Sequence, residues 1–216
     1  MNERRIYLDN AATSWPKPEA VYEAVDRYQR DNGATAGRGA YNEADQVDRI
    51  VMQSRKKLAN FLGTEDPTRI VFTASGSDSL NMAIHGVVRP GDHVITSAVD
   101  HNSVLRPLRF LEENRQVEVT RVQCSSEGIV DPEAFRQAIR ANTRLIALVH
   151  ASNVTGAIQP VEQVGAIAKE HNLLYLVDAA QSLGHFPIDV KQVGAHLFAS
   201  PAHKGLMGPS GMGLLY

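Results

Sequence analysis

Apolar residues fall into two regimes along this chain. Through residue 65 they recur at helical spacing, and beyond it they gather into short runs broken by polar turns. Val21, Val25 and Tyr28 share one face of a helix that Pro18 opens, a residue suited to a first helical turn. After a loop punctuated by Gly33, Gly37 and Gly39, the residues Val47, Ile50, Val51, Leu58 and Phe61 trace a second amphipathic helix, ended by Gly63. Both helices precede any buried strand, so they are expected to clamp the edge of a sheet or to belong to a smaller subdomain. The chain divides accordingly into an N-terminal segment, residues 1–65, and a main domain, residues 66–216.

From residue 66 onward, strand-like and helix-like stretches alternate. The strand candidates are Arg69–Thr73, His93–Thr96, Val117–Thr120, Leu145–Val149, Leu173–Val177 and His196–Phe198. Helices are expected over Asp78–Val87 and from about Ser103 to Glu113. A third, carrying Phe135 and Ile139, is capped by Asp131 and opened by Pro132, and Pro160 opens a fourth. Apolar runs without alternation mark strands buried on both faces, so the pattern predicts an α/β fold with a mainly parallel sheet. Gly211–Tyr216 is again strand-like and carries neither a closing helix nor a polar tail, which reads as a chain cut short.

Composition narrows the function. The 216 residues are 43% hydrophobic and 21% charged, ordinary for a globular chain and enough for one good-sized core. Twenty-two Lys and Arg against 24 Asp and Glu give a net charge of −2, with no basic surplus for nucleic acid or anionic membrane. A single cysteine excludes an intramolecular disulfide and a cysteine-rich zinc site, and fits a reducing compartment. No apolar run reaches the ~20 residues of a membrane helix, and no signal-peptide pattern opens the chain, so a soluble, cytoplasmic protein is expected. The histidines and acids show no metal-ligand spacing. Neither G-x-G-x-x-G after the first strand nor G-x-x-x-x-G-K-[ST] occurs, and Gly208–Gly213 fits a turn into a close-packed strand.

In an open α/β sheet, ligands bind beyond the carboxyl ends of the strands. Thr73-Ala74-Ser75-Gly76-Ser77-Asp78 follows the first, small residues leading into a helix whose N-terminus suits a phosphate. Ser75 with Asp78 equally makes an ordinary capping box. Asp100-His101-Asn102 follows the second; His101 reads either as a surface residue or as a ring that stacks on a planar ligand. His150 to Gly156 brings Asn153, an amide donor, to a strand end. Asp178 directly follows five apolar residues, where it either caps a turn or meets a cation, and Gln181 lies close behind. Ser200-Pro201-Ala202-His203-Lys204-Gly205 follows the last, and by default Lys204 is a solvated amine. Taken together, these groups suit a pyridine ring that carries a phosphate tail, an aldehyde and a phenolic oxygen. That is pyridoxal 5'-phosphate rather than a nicotinamide.

Tyr7-Leu8-Asp9-Asn10-Ala11-Ala12-Thr13, Asp100-His101-Asn102, Ser152-Asn153-Val154-Thr155-Gly156, Val177-Asp178-Ala179-Ala180-Gln181 and His203-Lys204-Gly205 with Gly208-Pro209 resemble the class V aminotransferase superfamily, specifically its cysteine desulfurase branch. The resemblance covers essentially the whole chain. It implies the fold-type-I architecture: a mainly parallel seven-stranded large domain that binds pyridoxal phosphate, and a small C-terminal domain missing from this chain. It implies a homodimer that takes L-cysteine to L-alanine, leaving the sulfur as an enzyme persulfide for an acceptor protein. Position by position, it makes Lys204 the Schiff-base lysine and the proton shuttle at the substrate Cα. Asp178 becomes the partner of the pyridine nitrogen, and His101 the ring that stacks on the cofactor. Asn153 and Gln181 lie near the ring hydroxyl, and Gly76, Ser77 and His203 at the phosphate. Ser200 joins them with a departure, because the family's Ser or Thr three residues before the lysine is here Pro201. The nucleophilic cysteine and the arginine for the substrate carboxylate lie in the portion this chain lacks, and Cys124 reads as structural. A selenocysteine lyase, another aminotransferase of the family and a non-catalytic remnant are the alternatives.

Overall fold

Runs of branched apolar residues flanked by turns become the strands of one sheet in the computed structural model, which describes residues 6–216. The strands are β1 (Val71–Thr73), β2 (His93–Ser97), β3 (Glu118–Val122), β4 (Thr143–Val149), β5 (Leu174–Asp178), β6 (Leu197–Pro201) and β7 (Gly213–Leu215). They lie in the order β1-β7-β6-β5-β4-β2-β3, and only β7 runs against its neighbours. The helices are α1 (Glu19–Arg27), α2 (Asn42–Phe61), α3 (Gly76–Val87), α4 (Asn102–Arg115), α5 (Pro132–Gln137), α6 (Val161–Glu170) and α7 (Val190–Val193). The fold is therefore the α/β architecture with a mainly parallel seven-stranded sheet that the sequence predicts.

Both sheet faces are covered, which explains the unbroken apolar runs. Along β4, Ile146 and Leu148 pack in one core with Tyr175, Val177 and Phe198, beneath Val164 and Ala168 of α6 and Ala59 of α2. Leu145 and Ala147 point the other way, into a second core with Leu80 and Ile84 of α3 and Val104 and Leu108 of α4. A strand with a core on each side has no polar face to alternate.

Several expectations are corrected. The first strand is not a buried one: it is a short edge strand paired only with β7, and Val71 is 39% exposed. Its predicted start is taken by a 3₁₀ turn, Pro67–Arg69, which Asp66 caps by accepting the Thr68 N–H at 2.9 Å. Helix α1 buries none of its residues, and Tyr28 falls into a following π-turn, Tyr28–Asn32, rather than onto its face. Ile139 lies beyond the end of α5 but still packs against the core. The four-residue α7 has no counterpart in the apolar pattern; Asp189 caps it by accepting the Lys191 N–H at 2.7 Å.

Candidate functional site

One cavity sits at the carboxyl ends of β4, β5 and β6 and at the N-terminus of α3. Its walls include Gly76, Ser77, His101, Asn153, Asp178, Gln181, His203 and Lys204. Parallel strands deliver these side chains to the same edge because each leaves the sheet in the same direction.

The turn after β1 is built for close approach. Ser75 caps α3 by accepting the Asp78 N–H at 3.0 Å, while Asp78 reaches back to accept the Ala74 N–H at 3.1 Å. The first N–H groups of α3, on Gly76 and Ser77, have no acceptor within the helix, and the helix dipole favours an anion there. A Cβ on Gly76 would meet Pro201 Cδ at 2.8 Å, so only glycine lets the end of β6 lie against this turn. Gly213 does the same from β7, where a Cβ would fall 2.4 Å from the Ser75 carbonyl. The glycine-rich stretch is thus the approach to a close-packed strand.

His101 caps α4. Its Nδ1 accepts the Ser103 N–H at 3.1 Å, which leaves the proton of the neutral ring on Nε2. Burial, then the positive charges of Lys204 and Arg106, hold its pKa below the ordinary histidine value. The hydroxyls of Ser103 and Ser77 lie 2.6 Å apart, joining the α4 cap to the α3 turn.

Asp178 ends β5 almost fully enclosed, with the Ala180 N–H donating to it at 2.9 Å. Burial pushes its carboxyl up to about 6, against the opposing pull of that N–H and of Lys204. Lys204 answers in kind: burial lowers its pKa, and Asp178 partly restores it. The acid and the amine therefore sense each other across one cavity. Gln181 donates from Nε2 to the Ala11 carbonyl at 3.1 Å, so the N-terminal segment reaches the same cavity. His203 lines the wall with its Nδ1 buried and without a partner among the described residues.

One predicted residue is not brought in. Ser200 lies within β6, 2% exposed, and its hydroxyl is engaged by the Ala179 and Pro201 carbonyls, each at 3.3 Å. The extended strand turns it away from the cavity and leaves that wall to Pro201. Cys124 stands outside the cavity, bridged to Val130 and packed on the core.

Two residues that support the cavity from outside its wall were not among the expected site residues. Asp100, 6% exposed, accepts the Thr96 hydroxyl (2.8 Å), the Ser97 N–H (2.7 Å) and the Ser97 hydroxyl (2.6 Å) on Oδ2. Its Oδ1 accepts the Val149 N–H at 2.6 Å. Val149 pairs in register with Asp178, so Asp100 ties the ends of β2 and β4 beneath the site. The second is Lys17, whose ammonium lies 2.7 Å from the His203 carbonyl. Asp100 is betrayed in sequence only by standing next to His101, and Lys17 by nothing local.

Comparison with known proteins identifies the family. The family described as aminotransferase class-V matches residues 6–216. A probable cysteine desulfurase of Methanothermobacter thermautotrophicus is 40% identical over 98% of this chain and 52% of its own length. The apo structure of the cysteine desulfurase from Thermococcus onnurineus superposes with a TM-score of 0.91 at 36% identity, over 98% of this chain and 53% of that one. A structure of SspA in complex with cysteine gives the same TM-score, 0.91, at 34% identity, over 98% of this chain and 61% of that one. The chain thus spans about half the length of the curated relative it matches. With a family match that runs from Ile6 to Tyr216, this chain belongs to the class V aminotransferases, and its relatives there are cysteine desulfurases.

Proposed function

We propose that this chain holds pyridoxal 5'-phosphate and forms the cofactor-binding half of a cysteine desulfurase. One observation carries the reading: Lys204, the enclosed Asp178 and the N-terminus of α3 meet in a single cavity. The residues present fit the cofactor. Gly76 lies against Pro201 with no room for a Cβ, so bare backbone N–H groups face the cavity where a phosphate would rest. At the far side, Asp178 is a buried acid with little local compensation, which favours a cationic partner. The buried Nδ1 of His203 is a polar atom still to be satisfied. The ligand that suits such a cavity is anionic at one end and cationic at the other.

Bound pyridoxal phosphate supplies an electron sink for a substrate carbanion. Asp178 holds the proton on the pyridine nitrogen that this chemistry requires. Lys204 offers the amine and moves the proton at the substrate Cα; burial lowers its pKa and so enlarges the neutral, nucleophilic fraction. His101, kept neutral by its surroundings, presents a flat uncharged ring for stacking. Asn153 and Gln181 would hold the ring hydroxyl with their amide groups, and Gly76, Ser77 and His203 would hold the phosphate. Ser200 is left out of this set.

For the whole protein, the reading is conversion of L-cysteine to L-alanine by a homodimer, with the sulfur held as a persulfide and passed to an acceptor protein. Support comes from the cysteine desulfurase relatives and from the structural neighbour solved with cysteine. The cofactor reading is tested on the purified chain incubated with pyridoxal phosphate. The chain is expected to turn yellow, and borohydride reduction is expected to fix a pyridoxyl group on Lys204, found by peptide mass spectrometry. Lys204→Ala abolishes both signals. A colourless chain with no modified Lys204 would overturn the reading.

A further inference from the structure

The carbonyl of His203 gathers an unusual number of donors. It lies 3.0 Å from the Ser14 N–H, 3.1 Å from the Ser14 hydroxyl, 3.1 Å from the Thr13 hydroxyl and 2.7 Å from the Lys17 ammonium. A carbonyl oxygen has two lone pairs, so four donors exceed what it needs. Lys17 is the nearest and the only charged one, and it also donates to the Ser14 hydroxyl at 2.7 Å. Charge-assisted contacts of this kind are roughly twice as strong as neutral ones. Both of its contacts go to neutral oxygens, and no ion pair to a described carboxylate competes for the ammonium.

The location gives the contact its meaning. The His203 carbonyl and the Lys204 N–H belong to one peptide plane, and the orientation of that plane, together with φ at Lys204, sets the direction in which the Lys204 side chain leaves the backbone. On the far side the turn is closed by the Met207 N–H on the Lys204 carbonyl and the Gly208 N–H on the Ala202 carbonyl, each at 2.8 Å. The same N-terminal segment is tied to the neighbouring loop through the Ala11 carbonyl and Gln181. We propose that Lys17 is a positioning residue for Lys204: its ammonium fixes the His203–Lys204 peptide and so aims the Lys204 amine into the cavity. The inference rests on the reading of Lys204 as the residue that joins the cofactor.

The test follows the rate at which Lys204 of the full 216-residue chain acquires a borohydride-fixed pyridoxyl group. Exposed Lys169 serves as an internal reference in the same digest. Lys17→Met is expected to slow labelling of Lys204 by about tenfold or more, since small misplacements of a reacting group cost this much. Lys169 labelling stays unchanged. Lys17→Arg is expected to restore the rate, because a guanidinium also donates to two oxygens. Should Lys17→Met fail to fold, Lys17→Gln carries the comparison, with a neutral donor in place of the charge and the same slowing expected. Unchanged labelling in Lys17→Met overturns the inference alone, and so does a loss that Arg does not rescue or loss of fold in both neutral variants. Absence of any Lys204 adduct in the unaltered chain overturns the cofactor reading and this inference with it.

Discussion

Replacing Asp100 by alanine tests the floor on which the site stands. The carboxylate accepts four donors, of which the Thr96 and Ser97 hydroxyls can rotate toward other oxygens. The backbone N–H groups of Ser97 and Val149 cannot, and both residues are buried. An orphaned buried N–H costs about 1–3 kcal/mol, so the two together cost about 2–6 kcal/mol. Against this stands the burden of the charge itself. Burial, reinforced by the nearby Asp178, raises the Asp100 carboxyl from 3.8 to about 6. Because the folded value exceeds the unfolded one, the folded chain binds more protons between these pH values. Stability from this group is complete below 3.8 and is lost as pH rises through 6. At about 1.4 kcal/mol per unit, the loss between pH 4 and pH 7 is on the order of 2–3 kcal/mol. Alanine carries no such burden. Asp100→Ala is therefore expected to be most destabilising in acid and less so at neutrality, the reverse of removing a carboxylate from an ion pair. Urea unfolding of both chains at pH 4 and pH 7, with slopes compared, measures it. A loss under about 1 kcal/mol at pH 4, or one that grows toward pH 7, would refute the reasoning.

Other expectations concern packing and titration. Gly76→Ala forces a Cβ to within 2.8 Å of Pro201 Cδ and 2.9 Å of its backbone nitrogen, and is expected to cost about 1–3 kcal/mol in urea unfolding. Gly86→Ala, in the same helix with nothing within 4 Å, is expected to stabilise by about 0.5–1 kcal/mol. Equal effects of the two would sink the packing argument. His93 is enclosed between the Thr143 and Thr120 hydroxyls, each 2.8 Å from a ring nitrogen. Burial, aided by Arg140 and opposed by Glu118, holds its pKa below 6.5. Its contribution to stability is present above that value and is lost as pH falls below it. A proton titration by NMR that places His93 above 6.5 would contradict the assignment.

What the sequence makes legible, and what it hides, follows from the range of the contacts involved. The strands β4 and β5 are read to within two residues because Leu145–Val149 and Leu173–Val177 are apolar on both faces, a property each segment carries by itself. Lys204, Asp178 and His101 are readable for a related reason: each follows such a run, and the ends of parallel strands share one edge. The run Ile70-Val71-Phe72 has the same composition, yet only Ile70 is buried, because β1 lies at the edge of the sheet. Edge position is decided by strand order, which no single segment encodes. Ser200 fails at shorter range. It stands in register with Leu214 of β7, still inside the strand, so its hydroxyl is engaged by backbone before the chain reaches the cavity. Lys17 lies beyond any local reading. Its partner carbonyl is 186 residues away, and from sequence it is one more lysine ahead of a helix. Asp100 is hidden by its neighbour: it stands just before α4, yet His101 does the capping and Asp100 turns inward to hold two strands. The groups that line the cavity are thus announced by the strands that carry them. The groups that aim and support those are fixed by the folded chain meeting itself, and only coordinates bring them together.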